Sequence, residues 1–399
     1  MKLRLAERMY RLGTETAFEV AARARALEAQ GKPIIHLEIG EPDFDTPGHI
    51  RAAAKEALDE GYTHYSNSTG ILELREALAR YAGGQRGLQF DPANVVVTPG
   101  AKPIMFYTIM ALIEPGEEVI YPNPGFPIYE SMINFLGGVA VPLQLSEQRD
   151  FRINLDELES KISSKTRLII INSPHNPTGG VLTYNDLRAI ADLAVKHDLI
   201  VLADEIYSEI VYEGEHHTIL SFPGMMERTV LLDGFSKTYA MTGWRLGYGI
   251  FPAEWVPHIS RLVINSVSCT STFSQRAAIA ALTGPRDDIE KMQKAFASRR
   301  ELVYEGLNKI PGLRCNLPQG AFYAFPNITE TGMDSRSYAD YLLKEADVAV
   351  LPGTSFGEFG EGYIRISFAN SEVNLSEAMH RIEKVNRALP TVAAELARN

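Results

Sequence analysis

Only two cysteines occur in 399 residues, Cys269 and Cys315. Two thiols give neither a disulfide framework nor a metal-binding spacing. Both are expected to be reduced and packed, which suits a reducing compartment. Positive charge is also scarce: 39 Lys and Arg face 50 Asp and Glu, a net charge of −11. An acidic chain with no basic block is a poor partner for nucleic acid or an anionic membrane. Long apolar runs are missing as well. Runs such as residues 168–171 and 230–232 are strand-sized and far short of a membrane span. The first eight residues, Met1-Lys2-Leu3-Arg4-Leu5-Ala6-Glu7-Arg8, carry charges throughout and no apolar h-region, so they do not form a secretory signal. No repeat, low-complexity tract or Ser/Gly linker is present. A soluble, cytoplasmic protein is the expectation.

What is present is a large apolar fraction. At 45% hydrophobic, the chain has ample material for a core and is too long for one simple domain. Residues 16–30 have helical spacing, and residues 34–39 read as a short strand ending in the turn-rich Gly40-Glu41-Pro42-Asp43. Helices are expected over 50–60 and 72–81. From residue 95 strand and helix alternate: strands at 95–98, 118–121, 168–172, 199–203 and 230–233, helices at 101–112, 125–136 and 185–197. This βα alternation argues a mostly parallel sheet between layers of helices. Beyond residue 285 the pattern changes to a long helix over 288–307, short strands at 322–325, 349–351 and 363–367, and a final helix from Glu372. The fold class is therefore α/β: a large domain over 46–285, a smaller α+β domain over 286–399, and a segment 1–45 packing with the smaller one.

In such sheets ligands sit at the carboxyl ends of strands, and the chemically unusual residues gather there. Lys237, in Asp233-Gly234-Phe235-Ser236-Lys237-Thr238-Tyr239-Ala240, lies among apolar and small residues. A desolvated ammonium has its pKa pulled toward neutrality, and a neutral amine forms an imine with an aldehyde. Arg245, eight residues on, suits a phosphate. An aldehyde that carries a phosphate is pyridoxal 5′-phosphate. Its binding requires an imine lysine, a partner for the ring nitrogen, a phosphate cradle and an anchor for the substrate carboxylate.

Each has a candidate. Asp204 ends an apolar strand and either pairs with a protonated ring nitrogen or caps the next helix; Glu205 beside it is expected to face solvent. Tyr207 and Asn176 suit the ring hydroxyl, although the Ser173-Pro174-His175-Asn176-Pro177-Thr178-Gly179-Gly180 loop also reads as a plain turn. His175 in that loop reads as structural. Gly100, Ala101 and Lys102 open a helix whose free N–H groups bind anions, with Ser236 and Arg245 adding a hydroxyl and a guanidinium. Phe126 either stacks on the ring or packs in the core. Arg365, a lone charge in an apolar strand, clamps a carboxylate or forms an internal salt bridge.

Together these residues resemble the fold-type I, class I/II aminotransferases, closest in appearance to prokaryotic aspartate aminotransferases. The similarity runs from Gly40-Glu41-Pro42-Asp43-Phe44 to Arg365, and Ser236-Lys237-Thr238-Tyr239-Ala240-Met241-Thr242-Gly243-Trp244-Arg245 is its most specific motif. The resemblance implies that Lys237 holds the cofactor and shuttles the substrate Cα proton, with Asp204 on the ring nitrogen and Tyr207 and Asn176 on the phenolic oxygen. Gly100, Ala101, Lys102, Ser236 and Arg245 would surround the phosphate, Phe126 would stack on the ring, and Gly40, Phe126, Asn176 and Arg365 would meet the substrate. Tyr65 would reach the phosphate of a neighbouring subunit, implying a homodimer with shared sites. One position departs: relatives often carry a phosphate-binding Ser where this chain has Gly234. The implied activity is transfer of an amino group from an L-amino acid, of aspartate or alanine type, to a 2-oxo acid by a ping-pong cycle, with a carbon–sulfur β-lyase as the alternative. A dicarboxylate substrate needs a second cation, for which Lys102 is the candidate; Glu15 would instead favour a basic or neutral side chain.

Overall fold

The computed structural model describes residues 4–389. Its strands are β1 (Ile35–His36), β2 (Val95–Thr98), β3 (Glu118–Asn123), β4 (Val139–Gln144), β5 (Thr166–Asn172), β6 (Ile200–Asp204), β7 (Thr229–Gly234), β8 (Gly247–Ile250), β9 (Tyr323–Ala324), β10 (Val348–Ala349), β11 (Leu351–Pro352) and β12 (Ile364–Ser367). Seven of them form one sheet in the order β2-β8-β7-β6-β5-β3-β4. All neighbours from β7 to β4 are parallel, and β8 alone runs antiparallel to both β7 and β2. The sheet is thus mostly parallel, as the alternation predicts.

Its β-branched strands are apolar on both faces because both faces are covered. Ile169, Ile171, Val201 and Ala203 pack into one cluster, while Leu168, Ile170, Leu202 and Val230 pack into another. This is the period-two alternation of a strand buried on each side. The helix Lys102–Leu112 lies against the second face, with Ile104, Met105 and Ile109 in that cluster.

The register sets the site. Asn172 is opposite Asp204, and Thr98 and Gly234 both lie opposite Gly247. The carboxyl ends of β2, β5, β6 and β7 therefore meet along one edge. Two elements in that sheet escape the sequence pattern. β4 is an edge strand, only partly buried and carrying Pro142, and β8 is Gly-Tyr-Gly-Ile. A Cβ on Gly249 would fall 2.7 Å from Ile104 Cγ2, so close helix packing demands a residue that weakens the strand signal. The helices Val256–Ser266 and Thr272–Thr283 also lie outside the expected elements.

The remaining strands form two small sheets. β1 pairs with β10 in parallel, and β11-β12-β9 is antiparallel. The expected strand over 349–351 is divided, because the chain leaves β1 after Ala349 and takes up β12 at Leu351. The expected strand over 34–39 shrinks to Ile35–His36. Leu37 then bridges the two small sheets, donating to the Ala349 carbonyl and accepting from the Ser367 N–H. Around them lie the helices Asp287–Lys309 and Glu372–Asn386. Among the described residues no helix is long and apolar enough to cross a membrane.

Candidate active site

A cavity of about 530 Å³ opens at the carboxyl edge of the large sheet. That volume suits a small-molecule cofactor together with a small substrate. Its walls include Gly40, Ala101, Lys102, Phe126, Asn176, Asp204, Tyr207, Ser236, Lys237, Arg245 and Arg365. Eleven of the thirteen candidate residues therefore converge on one space. Gly100 stands just behind the wall: a Cβ there would lie 2.1 Å from Arg245 Nη2, and its φ of +83° favours glycine. Tyr65 is away from this cavity, 88% exposed on the surface.

Lys237 follows β7 in a tight turn in which Tyr239 N–H donates to the Phe235 carbonyl. Its amine donates to the Gly40 carbonyl at 2.5 Å. Burial pushes the ammonium pKa down to about 8, and cationic Arg365 acts in the same direction. The amine is thus partly neutral near physiological pH, as a nucleophile must be.

Asp204 closes β6 and is buried. Tyr129 Oη donates to its Oδ2 at 2.5 Å, and the Ile206 N–H donates to Oδ1, so it also caps the following turn. Burial raises its pKa to about 6, against the lowering effect of those two donors, and Asp233 and Glu205 add repulsion. No cation among the described residues pairs with it. A buried carboxylate of this kind fits a protonated ring nitrogen, which would supply the missing charge.

Asn172 and Asn176 tie the strand ends together. Asn172 Nδ2 donates to the Asp204 carbonyl, and its Oδ1 accepts the Asn176 N–H. Arg365 Nη1 donates to Asn176 Oδ1 at 3.0 Å, which leaves the Asn176 amide NH₂ as the group able to donate to a phenolic oxygen. Arg365 is buried in β12, with a second nitrogen on the Glu38 carbonyl and Nε without a hydrogen-bond partner among the described residues. Its guanidinium lies 4.5 Å from the Tyr323 ring centroid and 4.9 Å from that of Phe356. Burial lowers its pKa. A carboxylate would satisfy both the charge and the orphaned N–H.

The phosphate end is equally legible. Ala101 precedes the helix Lys102–Leu112, whose first N–H groups lack intrahelical partners. A Cβ on Gly247 would fall 2.4 Å from Ala101 N, so β8 presses that helix start into place. At Gly234 a Cβ would meet Gly247 Cα at 3.1 Å and Ile206 Cδ1 at 3.2 Å, so a side chain there would need its neighbours to give by a few tenths of an ångström. Ser236 lines the cavity.

Some expectations need correction. Glu205 does not face solvent; it is 3% exposed. Arg86 Nε holds it at 2.8 Å, with His216 Nε2 at 2.9 Å and Thr218 Oγ1 at 2.7 Å. Burial opposes its charge, but Arg86 and its other partners take its pKa down to about 2. Only Cys315 of the two thiols is buried; Cys269 keeps partial exposure. His175 is structural as expected: it is buried, its Nδ1 lies 2.8 Å from Thr178 Oγ1, and desolvation lowers its pKa to about 3. Lys102 and Glu15, read as alternatives, are paired with one another at the pocket mouth. Sequence reasoning missed Tyr129, Tyr323 and Phe356. Tyr129 stands three residues after Phe126, one helical turn on, which was its available signal.

The Aminotransferase class I and II family model matches residues 32–382. An aromatic-amino-acid aminotransferase of Thermococcus litoralis is 46% identical over 362 residues, covering 90% of this chain and 93% of that protein. An aspartate aminotransferase of Pyrococcus abyssi is 46% identical over 360 residues, 89% of this chain and 92% of its own. The solved aspartate aminotransferase of Thermus thermophilus with maleate superposes with a TM-score of 0.92 at 37% identity, covering 96% of this chain and 100% of that one. None of these relatives lends support to the lyase alternative. The chain belongs to the class I and II aminotransferases, pyridoxal phosphate-dependent transferases of amino groups.

Proposed function

We propose that this aminotransferase accepts both aspartate and aromatic L-amino acids as donors and passes the amino group to a 2-oxo acid such as 2-oxoglutarate in a ping-pong cycle. The observation that carries the reading is the Lys102–Glu15 ion pair at the pocket mouth. Lys102 Nζ also lies 5.4 Å from the Phe126 ring centroid. Closed, the pair presents no net charge, and Phe18 and Phe126 offer an apolar wall to a ring. Opened, Lys102 is a cation for a side-chain carboxylate. The aspartate and aromatic names of the relatives support both halves.

Each residue then has a task. Bound pyridoxal phosphate supplies the electron sink that makes the substrate Cα–H acidic. Lys237 would hold the cofactor covalently and, as a free amine, would carry the substrate Cα proton. Asp204 keeps the ring nitrogen protonated, with Tyr129 holding the carboxylate. Tyr207 and Asn176 donate to the phenolic oxygen, and Phe126 covers the ring. Gly100, Ala101, Ser236 and Arg245 hold the phosphate beside Lys102. Arg365, with Gly40, anchors the α-carboxylate.

The reading includes a cytoplasmic homodimer in which Tyr65 completes a neighbour's phosphate site. Exposed Tyr65, Met110, Ile264 and Val267 support it. They lie on elements that touch: Ser68 Oγ of the Tyr65 loop is 3.0 Å from Ser260 Oγ of the helix Val256–Ser266, and Tyr107 Oη of the helix Lys102–Leu112 is 2.6 Å from Ser266 Oγ. The segments 1–45, 46–285 and 286–399 are proposed as the domain division, supported by the pairing of β1 with β10.

The test is kinetic. Lys102→Ala is expected to lower kcat/KM for aspartate by roughly 10- to 100-fold, the loss of one charge-assisted hydrogen bond. Phenylalanine should change by less than about threefold. A uniform loss for both donors, or none for aspartate, would overturn the reading.

A further inference from the structure

Tyr323 carries no role in the scheme above, yet it touches three of its parts. It lies in β9 and is 1% exposed. Its Oη is 2.8 Å from Tyr207 Oη. Its ring takes the Arg365 guanidinium at 4.5 Å. The hydroxyl also fills the space that a side chain at residue 40 would need, because a Cβ on Gly40 would lie 2.2 Å from it. The Gly40 carbonyl in turn holds the Lys237 amine.

We propose that Tyr323 is a positioning residue that acts through two separable groups: its hydroxyl orients Tyr207 toward the cofactor, and its ring holds Arg365 for the substrate carboxylate. This rests on the reading of Tyr207 and Arg365 given above. A phenol has one O–H to donate. If Tyr207 gives its proton to the cofactor's phenolic oxygen, it can only accept from Tyr323. The Tyr323 hydroxyl therefore donates to Tyr207. A hydroxyl that accepts a hydrogen bond becomes a stronger donor. The phenolic oxygen gains negative character when the Lys237-linked chromophore loses its proton, so both tyrosines lower the pH of that colour change. The ring works separately. It faces a buried cation, where a cation–π contact has its greatest effect. Phenylalanine keeps that contact and removes only the hydroxyl.

The experiment titrates the visible spectrum of resting holoenzyme for wild type, Tyr207→Phe, Tyr323→Phe and the double variant. Tyr207→Phe is expected to raise the midpoint by roughly one to two pH units, as loss of a hydrogen bond to a charged acceptor does. Tyr323→Phe should raise it by roughly half a unit, and the double variant should match Tyr207→Phe alone. The second arm measures KM and kcat for the wild type's best amino donor. Tyr323→Phe should leave KM within about twofold, and Tyr323→Leu should raise it by roughly 5- to 30-fold. An unshifted midpoint in Tyr323→Phe, or additive shifts in the double variant, would overturn the proposal while leaving the role of Tyr207 intact. An unshifted midpoint in Tyr207→Phe would instead sink the reading of Tyr207, and this proposal with it. Equal KM values for the phenylalanine and leucine variants would refute the role of the ring.

Discussion

Charge placement at single residues decides what this pocket can do. Burial drives Lys237 down to about 8, toward the neutral amine its chemistry uses, and Asp204 up to about 6, which leaves a carboxylate whose charged form a protonated ring nitrogen would restore. Behind Asp204 the opposite device operates. Arg86 bridges Glu205 at 2.8 Å and Asp233 at 2.9 Å, with all three side chains almost fully enclosed. Removing Arg86 takes from two buried carboxylates the cation they share. Arg86→Met is therefore expected to destabilise the protein by about 3–5 kcal/mol at pH 7. Glu205 has a depressed folded pKa of about 2, so its contribution is present above the unfolded carboxylate value and is lost as pH falls through that window. In the variant, burial favours protonated carboxylates, and acid relieves them. The gap between wild type and variant should narrow from pH 7 to pH 5 in urea unfolding. Equal midpoints at pH 7 would contradict the argument. These residues also mark the limit of sequence reading. Lys237, Asp204 and Arg365 stand out because each is a charge in an apolar or small-residue setting. Tyr323 and Tyr129 do not, because a tyrosine in a strand or helix reads as core. Glu205 was misread because its partner Arg86 is 119 residues away in the chain.

Among the elements, the interior of the large sheet was the most legible part. β2, β3, β5, β6 and β7 are β-branched or apolar runs, and helices follow β2, β3 and β5, a pattern that fits a covered, mostly parallel sheet. The edge strand β4 and the glycine-bearing β8 lack that signature, since one is only partly buried and the other is shaped by contact with the helix Lys102–Leu112. The small sheets were read as positions without partners. Strands of two residues draw their order from tertiary contacts, and nothing local specifies that β1 pairs with β10 across more than three hundred residues. That pairing matters for the site, because it holds Glu38 and Gly40 against Arg365 and Lys237.

The whole molecule brings the sheet edge, the N-terminal segment and the β9–β12 layer around one cavity, each supplying part of the wall. The proposed dimer would add Tyr65. Sedimentation of the purified protein should give a dimer, and Ile264→Asp should shift it toward monomer with weaker cofactor retention; a fully active monomer would contradict the shared site. The central claim is that Lys237, kept largely deprotonatable by burial, carries the cofactor. The most direct measurement loads apoprotein with pyridoxal phosphate across pH 6 to 10, fixes the product with borohydride and maps the modified peptide. The expected result is label on Lys237 alone, formed faster as pH rises through about 8, where the amine loses its proton. Label on another lysine, or none on Lys237 at any pH, would contradict the account.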